Sequence, residues 1–216
     1  MRPWSHSRLS TYEECPKQYQ YSYVENLPGF RPTSPAATRG SAIHAQAESY
    51  LLGKLIMYPP ELQKVASHAM MLKAKKATAE QKLAITDKWE PCDYKSKDAY
   101  FRGVVDVSYV DGDTVHVEDW KTGQTYASHP VQMETYVAIL SAYHPTAVKF
   151  ISRLIYIDQG VVSVPKVTLA ERIKPIRMML DGRINIAETD GIFPVRSGTH
   201  CRFCDYSQRF GGPCPH

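Results

Sequence analysis

Residues 114–124 read TVHVEDWKTGQ. Side chains alternate along a strand, so Asp119 and Lys121 project together while Glu118 and Trp120 project the opposite way. Upstream, the stretch RGVVDVSY carries one acid, Asp106, inside an otherwise apolar strand pattern. The intervening Asp111-Gly112-Asp113 is a hairpin signal. Folded as a hairpin, the two segments bring Asp106, Asp119 and Lys121 towards one point. Two carboxylates supply the hard oxygen donors that Mg2+ or Mn2+ takes. An ammonium beside them can neutralise charge growing on a phosphoryl group and orient an attacking water. The same Asp–Lys pair on an open surface would be an ion pair of little consequence. Glu118, aimed at the other face, is assigned to packing.

A second group capable of chemistry lies in the tail, where Cys201-x2-Cys204-x9-Cys214 falls in a stretch rich in turn residues. Three thiols need a fourth ligand to close a tetrahedral or cubane site. Cys15 could supply it from far away in sequence, or His200 or His216 could supply it locally in a zinc site. Cys92 stands apart and is taken as a plain small side chain.

The elements that must position these residues follow from pattern. The segment 7–24 reads as two short helices meeting at Cys15-Pro16, with Ser7 as a cap and Pro16 in a first turn. Residues 27–38 form a proline-rich loop. Residues 39–54 form a helix with Ile43, Ala47, Tyr50 and Leu51 on one stripe. A long amphipathic helix with a lysine-rich face is predicted over 60–83. Strands follow at 99–110 and 114–124, then a helix over 128–144 capped by Ser128. A second hairpin turns at Asp158-Gln159-Gly160, and a last helix spans roughly 168–189. This order predicts an α/β fold with a mixed sheet.

The chain has 216 residues, of which 43% are hydrophobic, enough for one large packed domain rather than a disordered chain. The net charge of +4 is compatible with a polyanionic partner. Arg8 and Lys17, with lysines 73, 75 and 76, could make a positive path for a nucleic-acid backbone. Tyr19, Tyr21 and Tyr23 could offer stacking faces. There is no apolar run long enough for a membrane span and no signal-peptide pattern at the start, so a cytoplasmic protein is expected, where cysteines bind metals more often than they pair.

Taken in order, Gly103-x-x-Asp106, Asp119-x-Lys121-Thr122-Gly123 and Gln132-x-x-x-Tyr136 resemble the signature of the PD-(D/E)XK nucleases of the RecB-like branch. The resemblance extends to SHSRLSTYEECPKQYQYSY and to RGSAIHAQAES, where His44 and Glu48 lie one helical turn apart. It implies a restriction-endonuclease-like core, a central mixed sheet flanked by helices, within one nuclease domain over residues 1–216. Within it are expected an N-terminal helical segment over residues 1–98, a catalytic core over 99–189 and a Cys-rich tail over 190–216 joined to the N-terminal helices. It also implies that His44, Asp106, Asp119 and the Trp120 carbonyl hold Mg2+ or Mn2+, that Lys121 is the catalytic lysine, and that Gln132 and Tyr136 face the site and contact DNA. Iron–sulfur members of this branch use one N-terminal and three C-terminal cysteines. By that likeness Cys15, Cys201, Cys204 and Cys214 hold a [4Fe–4S] cluster, although nine residues before Cys214 is longer than the family's usual spacing. Zinc in the tail is the rival. The implied activity is a metal-dependent DNA exonuclease acting on single strands or ends in recombination, repair or CRISPR adaptation, in a bacterial, archaeal or phage-infected cell. No G-x-x-x-x-G-K-[ST] motor motif is present. A structure-specific endonuclease on the same core and a non-catalytic nucleic-acid-binding module are the alternatives.

Overall fold

The computed structural model describes residues 3–124 and 129–216. The chain divides into two compact units. Among the described residues, the first comprises residue 3 and the stretch from 35 to 178; the second comprises 4–34 and 179–216.

The second unit opens with α1 (His6–Glu14) and α2 (Pro16–Tyr19), followed by a π-helical turn over Gln20–Val24. The cap of α1 is Ser5, whose hydroxyl accepts from the Arg8 N–H at 3.1 Å, and not Ser7, which lies inside the helix. Pro16 takes the first position of α2, where no N–H is needed.

In the first unit α3 spans Pro35–Leu51, so the helix begins inside the stretch that reads as a proline-rich loop. Proline at a first helical position is tolerated, and only the half after Thr38 carries the apolar stripe. Ile43, Ala47, Tyr50 and Leu51 are buried, as that stripe requires.

The single long helix expected over 60–83 does not form. A 3-10 turn covers Pro60–Val65, α4 covers Ala66–Ala74, and β1 runs over Thr78–Ile85. Lys76 breaks the helix in a left-handed conformation (φ 53°). Residues with good helical propensity after it are recruited as a strand by pairing with the chain at 101–108. Tertiary pairing overrides propensity here. The sheet therefore begins inside the stretch that the sequence assigns to helices.

The remaining elements are β2 (Pro91–Cys92), β3 (Phe101–Asp111), β4 (Thr114–Lys121), α5 (His129–Tyr143), β5 (Lys149–Tyr156), β6 (Val161–Val162), β7 (Lys166–Leu169) and α6 (Ile173–Thr189), which crosses from the first unit into the second. The expected Ser128 cap of α5 lies outside the described residues. The return strand of the second hairpin is split into β6 and β7, and both pair with β5. The sheet order is β2-β1-β3-β4-β5-β6, antiparallel except for β4–β5, which is parallel. This is the mixed sheet flanked by helices of a restriction-endonuclease-like core. One core layer joins the α3 stripe and Ala69 and Leu72 of α4 to Val107, Tyr109, Trp120 and Ile155 of the sheet.

Candidate active site and cysteine cluster

Strand register builds the site. Ala79 pairs with Val107 and Gln81 with Val105, which sets Glu80 opposite Asp106. Val107 pairs with Glu118, which sets Asp106 opposite Asp119. Three carboxylates thus lie in a row across β1, β3 and β4. From α3, His44 Nδ1 lies 3.4 Å from Asp106 Oδ2 and 3.7 Å from Glu80 Oε1. Among the described residues, His44, Glu80 and Asp106 form the one group of such ligands whose donor atoms all lie within 4.8 Å of each other. His44, Glu48 and Glu80 line an open cleft with Gly40, Ser41 and Ala45, so the Glu80 end of the row is reachable from solvent, while Asp106 and Asp119 are buried behind it.

Lys121 stands at the other end of the row. Its Nζ lies 2.6 Å from Asp119 Oδ2, in a contact that falls outside hydrogen-bond geometry and leaves that buried oxygen without a hydrogen bond. The directed bond of Lys121 goes to Gln132 Oε1 at 2.8 Å, and Gln132 Nε2 donates to Tyr136 Oη at 2.6 Å. The i, i+4 pair on α5 is therefore wired to the lysine. The Trp120 N–H donates to Asp106 Oδ2 at 2.9 Å, while the indole is buried in the core layer. Glu118 is fully buried on the opposite side, between His68 Nε2 (2.5 Å) and Arg153 Nη1 (3.2 Å), a packing role as its alternation implies.

Electrostatics follow from this crowding. Burial, then repulsion by Asp119, pushes Asp106 up to about 8, against the pull of His44 and the Trp120 N–H. Burial also raises Asp119, opposed by Lys121. Burial disfavours charge on His44, yet Glu80, Asp106 and Asp119 together outweigh it and raise its affinity for a proton. His44, Glu80 and Asp106 form a donor set that could hold a divalent cation, with Asp119, one buried oxygen of which makes no hydrogen bond, next in the row and outside that group; oxygen donors with one imidazole suit Mg2+ or Mn2+.

Glu80 carried no signature in the sequence. It lies in the stretch read as helix, and its backbone is left-handed (φ 48°), a conformation uncommon for a non-glycine residue. The only signal was the apolar run Leu83-Ala84-Ile85 closed by turn residues, which marks a strand end.

In the second unit, Cys15, Cys201, Cys204 and Cys214 line one small cavity together with Gln18, Tyr21, Val195, His200, Tyr206 and His216. All four cysteines are free thiols; Cys15 and Cys214 are buried. The Gly198 N–H donates to Cys201 Sγ at 3.3 Å. Burial pushes the Cys204 thiol up, and nearby Cys214 and Cys15 add to this. Four thiols from both ends of the unit, facing one cavity and unpaired, fit a metal cluster. The two histidines on the same cavity leave zinc a ligand set as well.

The remaining candidates are placed as follows. Arg8 is only 7% exposed, with its guanidinium 4.3 Å over the Trp4 ring and donating to Tyr19 Oη at 2.7 Å. Lys17 donates to Gln20 Oε1 at 2.7 Å. Tyr19 is buried against Trp4, and Tyr21 packs on Tyr206. Lys73 covers the Tyr50 ring and Lys75 pairs with Asp111.

Among the described residues, no helix is long and apolar enough to cross a membrane. No curated protein matches the chain. The crystal structure of SSO0001 superposes with a TM-score of 0.50 at 16% identity, over 100% of this chain and 87% of that one, a likeness of fold. Residues 3–209 match the family model of the PD-(D/E)XK nuclease superfamily, and with that match over nearly its whole length the chain belongs to this superfamily.

Proposed function

We propose that the protein is a metal-dependent DNA exonuclease of the RecB-like, iron–sulfur branch. The observation that carries this reading is the row Glu80–Asp106–Asp119 with His44 at one end and Lys121 at the other. His44, Asp106, Asp119 and the Trp120 carbonyl, joined by Glu80, are the residues to hold Mg2+ or Mn2+. A divalent ion held by them would supply Lewis-acid polarisation of the phosphodiester and a more acidic bound water. The chain supplies the rest. Lys121, held by Gln132, offers a fixed positive charge to the phosphoryl oxygens as charge grows on them. Tyr136 sets the rotamer of Gln132 and so the reach of the lysine. The Trp120 N–H fixes Asp106 Oδ2, the oxygen that lies beside His44 Nδ1.

Four cysteines on one cavity support a [4Fe–4S] cluster in the second unit. A single tetrahedral zinc, with Zn–S near 2.3 Å, would draw its thiolates to roughly 3.8 Å of each other. No three of these sulfurs meet even a 4.8 Å spacing among the described residues, whereas a cubane spreads its ligands further apart. Such a cluster is structural, since phosphodiester hydrolysis has no redox step. On this reading the protein acts on DNA ends in the cytoplasm during recombination, repair or CRISPR adaptation, with partner proteins of those processes.

The test is nucleotide release from end-labelled single strands beside covalently closed circles, with Mn2+ and with EDTA. Release from ends in Mn2+ only, with intact circles, is expected. Asp119→Ala and Lys121→Ala should each retain less than about a tenth of that activity, a barrier increase of more than about 1.4 kcal/mol. Cut circles would mean an endonuclease, and DNA retained uncut would mean a binding module. Protein purified without oxygen should be brown and lose its colour in Cys15→Ser; a colourless protein with one zinc and indifference to Cys15→Ser would replace the cluster with zinc.

A further inference from the structure

Asp158 occupies the turn between β5 and β6 and touches segments far apart in sequence. Its carboxylate grips the guanidinium of Arg39 in two-pronged fashion, Oδ1 accepting from Nη2 at 2.6 Å and Oδ2 from Nη1 at 3.0 Å. Oδ2 also accepts from the backbone N–H of Gly123 at 2.7 Å. Two neighbouring bonds reinforce the grip: Lys64 Nζ donates to the Asp158 carbonyl at 2.6 Å, and Gln159 Nε2 donates to the Gly123 carbonyl at 2.5 Å. Arg39 lies on α3 five residues before His44, and Gly123 follows Lys121 by two. The helix and the strand end come close beside this point, since a Cβ on Gly40 would lie 3.1 Å from Thr122 Oγ1.

We propose that Asp158 is a positioning residue for the acid row, setting with one carboxylate the spacing between the helix that carries His44 and the strand end that carries Asp119 and Lys121. The proposal rests on the nuclease reading of that row. An isolated ion pair on a surface couples two elements weakly. This carboxylate differs in two ways: the planar guanidinium fork matches it geometrically, and its third donor is a main-chain amide that cannot swing away. The Arg39 bond and then the Gly123 N–H hold the carboxyl down at about 2, so the grip is ionised throughout the neutral range. The grip touches no reacting atom, so its loss shows in turnover rather than in substrate binding.

The experiment measures cleavage kinetics and backbone hydrogen exchange on the full chain with Asp158→Ala, Asp158→Asn and Arg39→Gln. Arg39 is half exposed, so Arg39→Gln spares the core and covers the case in which Asp158→Ala does not fold. For Asp158→Ala and Arg39→Gln, kcat should fall by about 10- to 100-fold with KM for DNA within about twofold, the scale of a small misplacement of reacting groups. Asp158→Asn keeps an acceptor for Gly123 and should fall between these and the wild type. Amides over 119–123 and over 39–44 should lose protection together. Unchanged exchange overturns the proposal, and so does lost protection with unchanged kcat. If the wild type does not cleave DNA, the nuclease reading fails on its own, and the exchange data still decide whether Asp158 ties the two segments.

Discussion

Gly103 opens the Gly-x-x-Asp stretch of β3, and its lack of a side chain has a geometric reason. A Cβ at this position would lie 2.9 Å from Ile139 Cδ1 and 3.4 and 3.5 Å from Tyr136 Cε1 and Cδ1. Carbon atoms rest roughly 3.5–4.0 Å apart, so the added methyl would overlap Ile139 by at least about half an ångström while merely touching Tyr136. Ile139 is fully buried on α5 and has little room to turn. Overpacking of this kind costs about 1–3 kcal/mol, from which the better strand entropy of Ala over Gly returns about 0.5–1 kcal/mol. Gly103→Ala should therefore destabilise the fold by about 1–2 kcal/mol. Ile139→Val removes the clashing Cδ1 and alone should cost about 0.5–1.5 kcal/mol. In the double variant the new methyl fills the vacated space, so the pair should be more stable than the sum of its parts by about 1 kcal/mol. Urea denaturation of all four proteins in EDTA measures this. Because α5 carries Gln132 and Tyr136, cleavage should fall in Gly103→Ala and recover in the double variant. Costs that add to within about 0.5 kcal/mol, or activity that does not recover, would refute the close-approach account.

Three further outcomes are expected. Asp106 binds its proton up to about 8 in the fold, against an ordinary value of 3.8, so its contribution to the stability of the metal-free protein should be fully present below about pH 4 and be lost as pH rises towards 8, with His44 acting in the same direction; Asp106→Asn should flatten the slope between about pH 4 and 8 in EDTA melts, and an unchanged slope would reject the assignment. Glu80→Gly should relieve the left-handed backbone and one like charge, stabilising metal-free protein by about 1 kcal/mol while weakening Mn2+ binding measured calorimetrically; equal Mn2+ affinity would remove Glu80 from the ligand set. A Cβ on Gly212 would run into the Tyr206 carbonyl oxygen and the backbone carbons beside it, so Gly212→Ala should cost about 3 kcal/mol or more by thermal melt, whereas Gly191→Ala, with nothing within 4 Å, should stay within about 0.5 kcal/mol.

The hairpin carrying Asp106, Asp119 and Lys121 was legible because the strand period and the turn chemistry at residues 111–113 agree with each other. The α3 stripe was legible for the same reason: its helical period and its burial are one fact. The stretch 75–85 was not. Lys, Ala, Glu and Gln favour a helix locally, and only pairing with β3, whose partners lie 16 to 30 residues further along the chain, makes them a strand. Glu80 was lost with that strand. Asp158 was legible as a turn residue but not as a clamp, because its partners Arg39 and Gly123 lie far from it in the chain and neither belongs to a local pattern that includes it.

The three acids are each held by a different device. Asp106 accepts the Trp120 N–H, Asp119 has the ammonium of Lys121 beside it, and Glu80 leans on His44 from a left-handed backbone. Each device offsets part of one charge, and none offsets the repulsion between neighbours, which is why burial and Asp119 can drive Asp106 so far up. A row left in deficit in this way destabilises the fold unless a proton or a cation supplies the missing charge. Binding a cation to the native row alone must then raise stability by the logarithm of its saturation. On the proposed reading, the same deficit that weakens the metal-free protein would be the source of its affinity for a cation, and the Asp158 clamp, by preventing α3 and the end of β4 from moving apart, would keep the row from relieving that deficit through distortion instead.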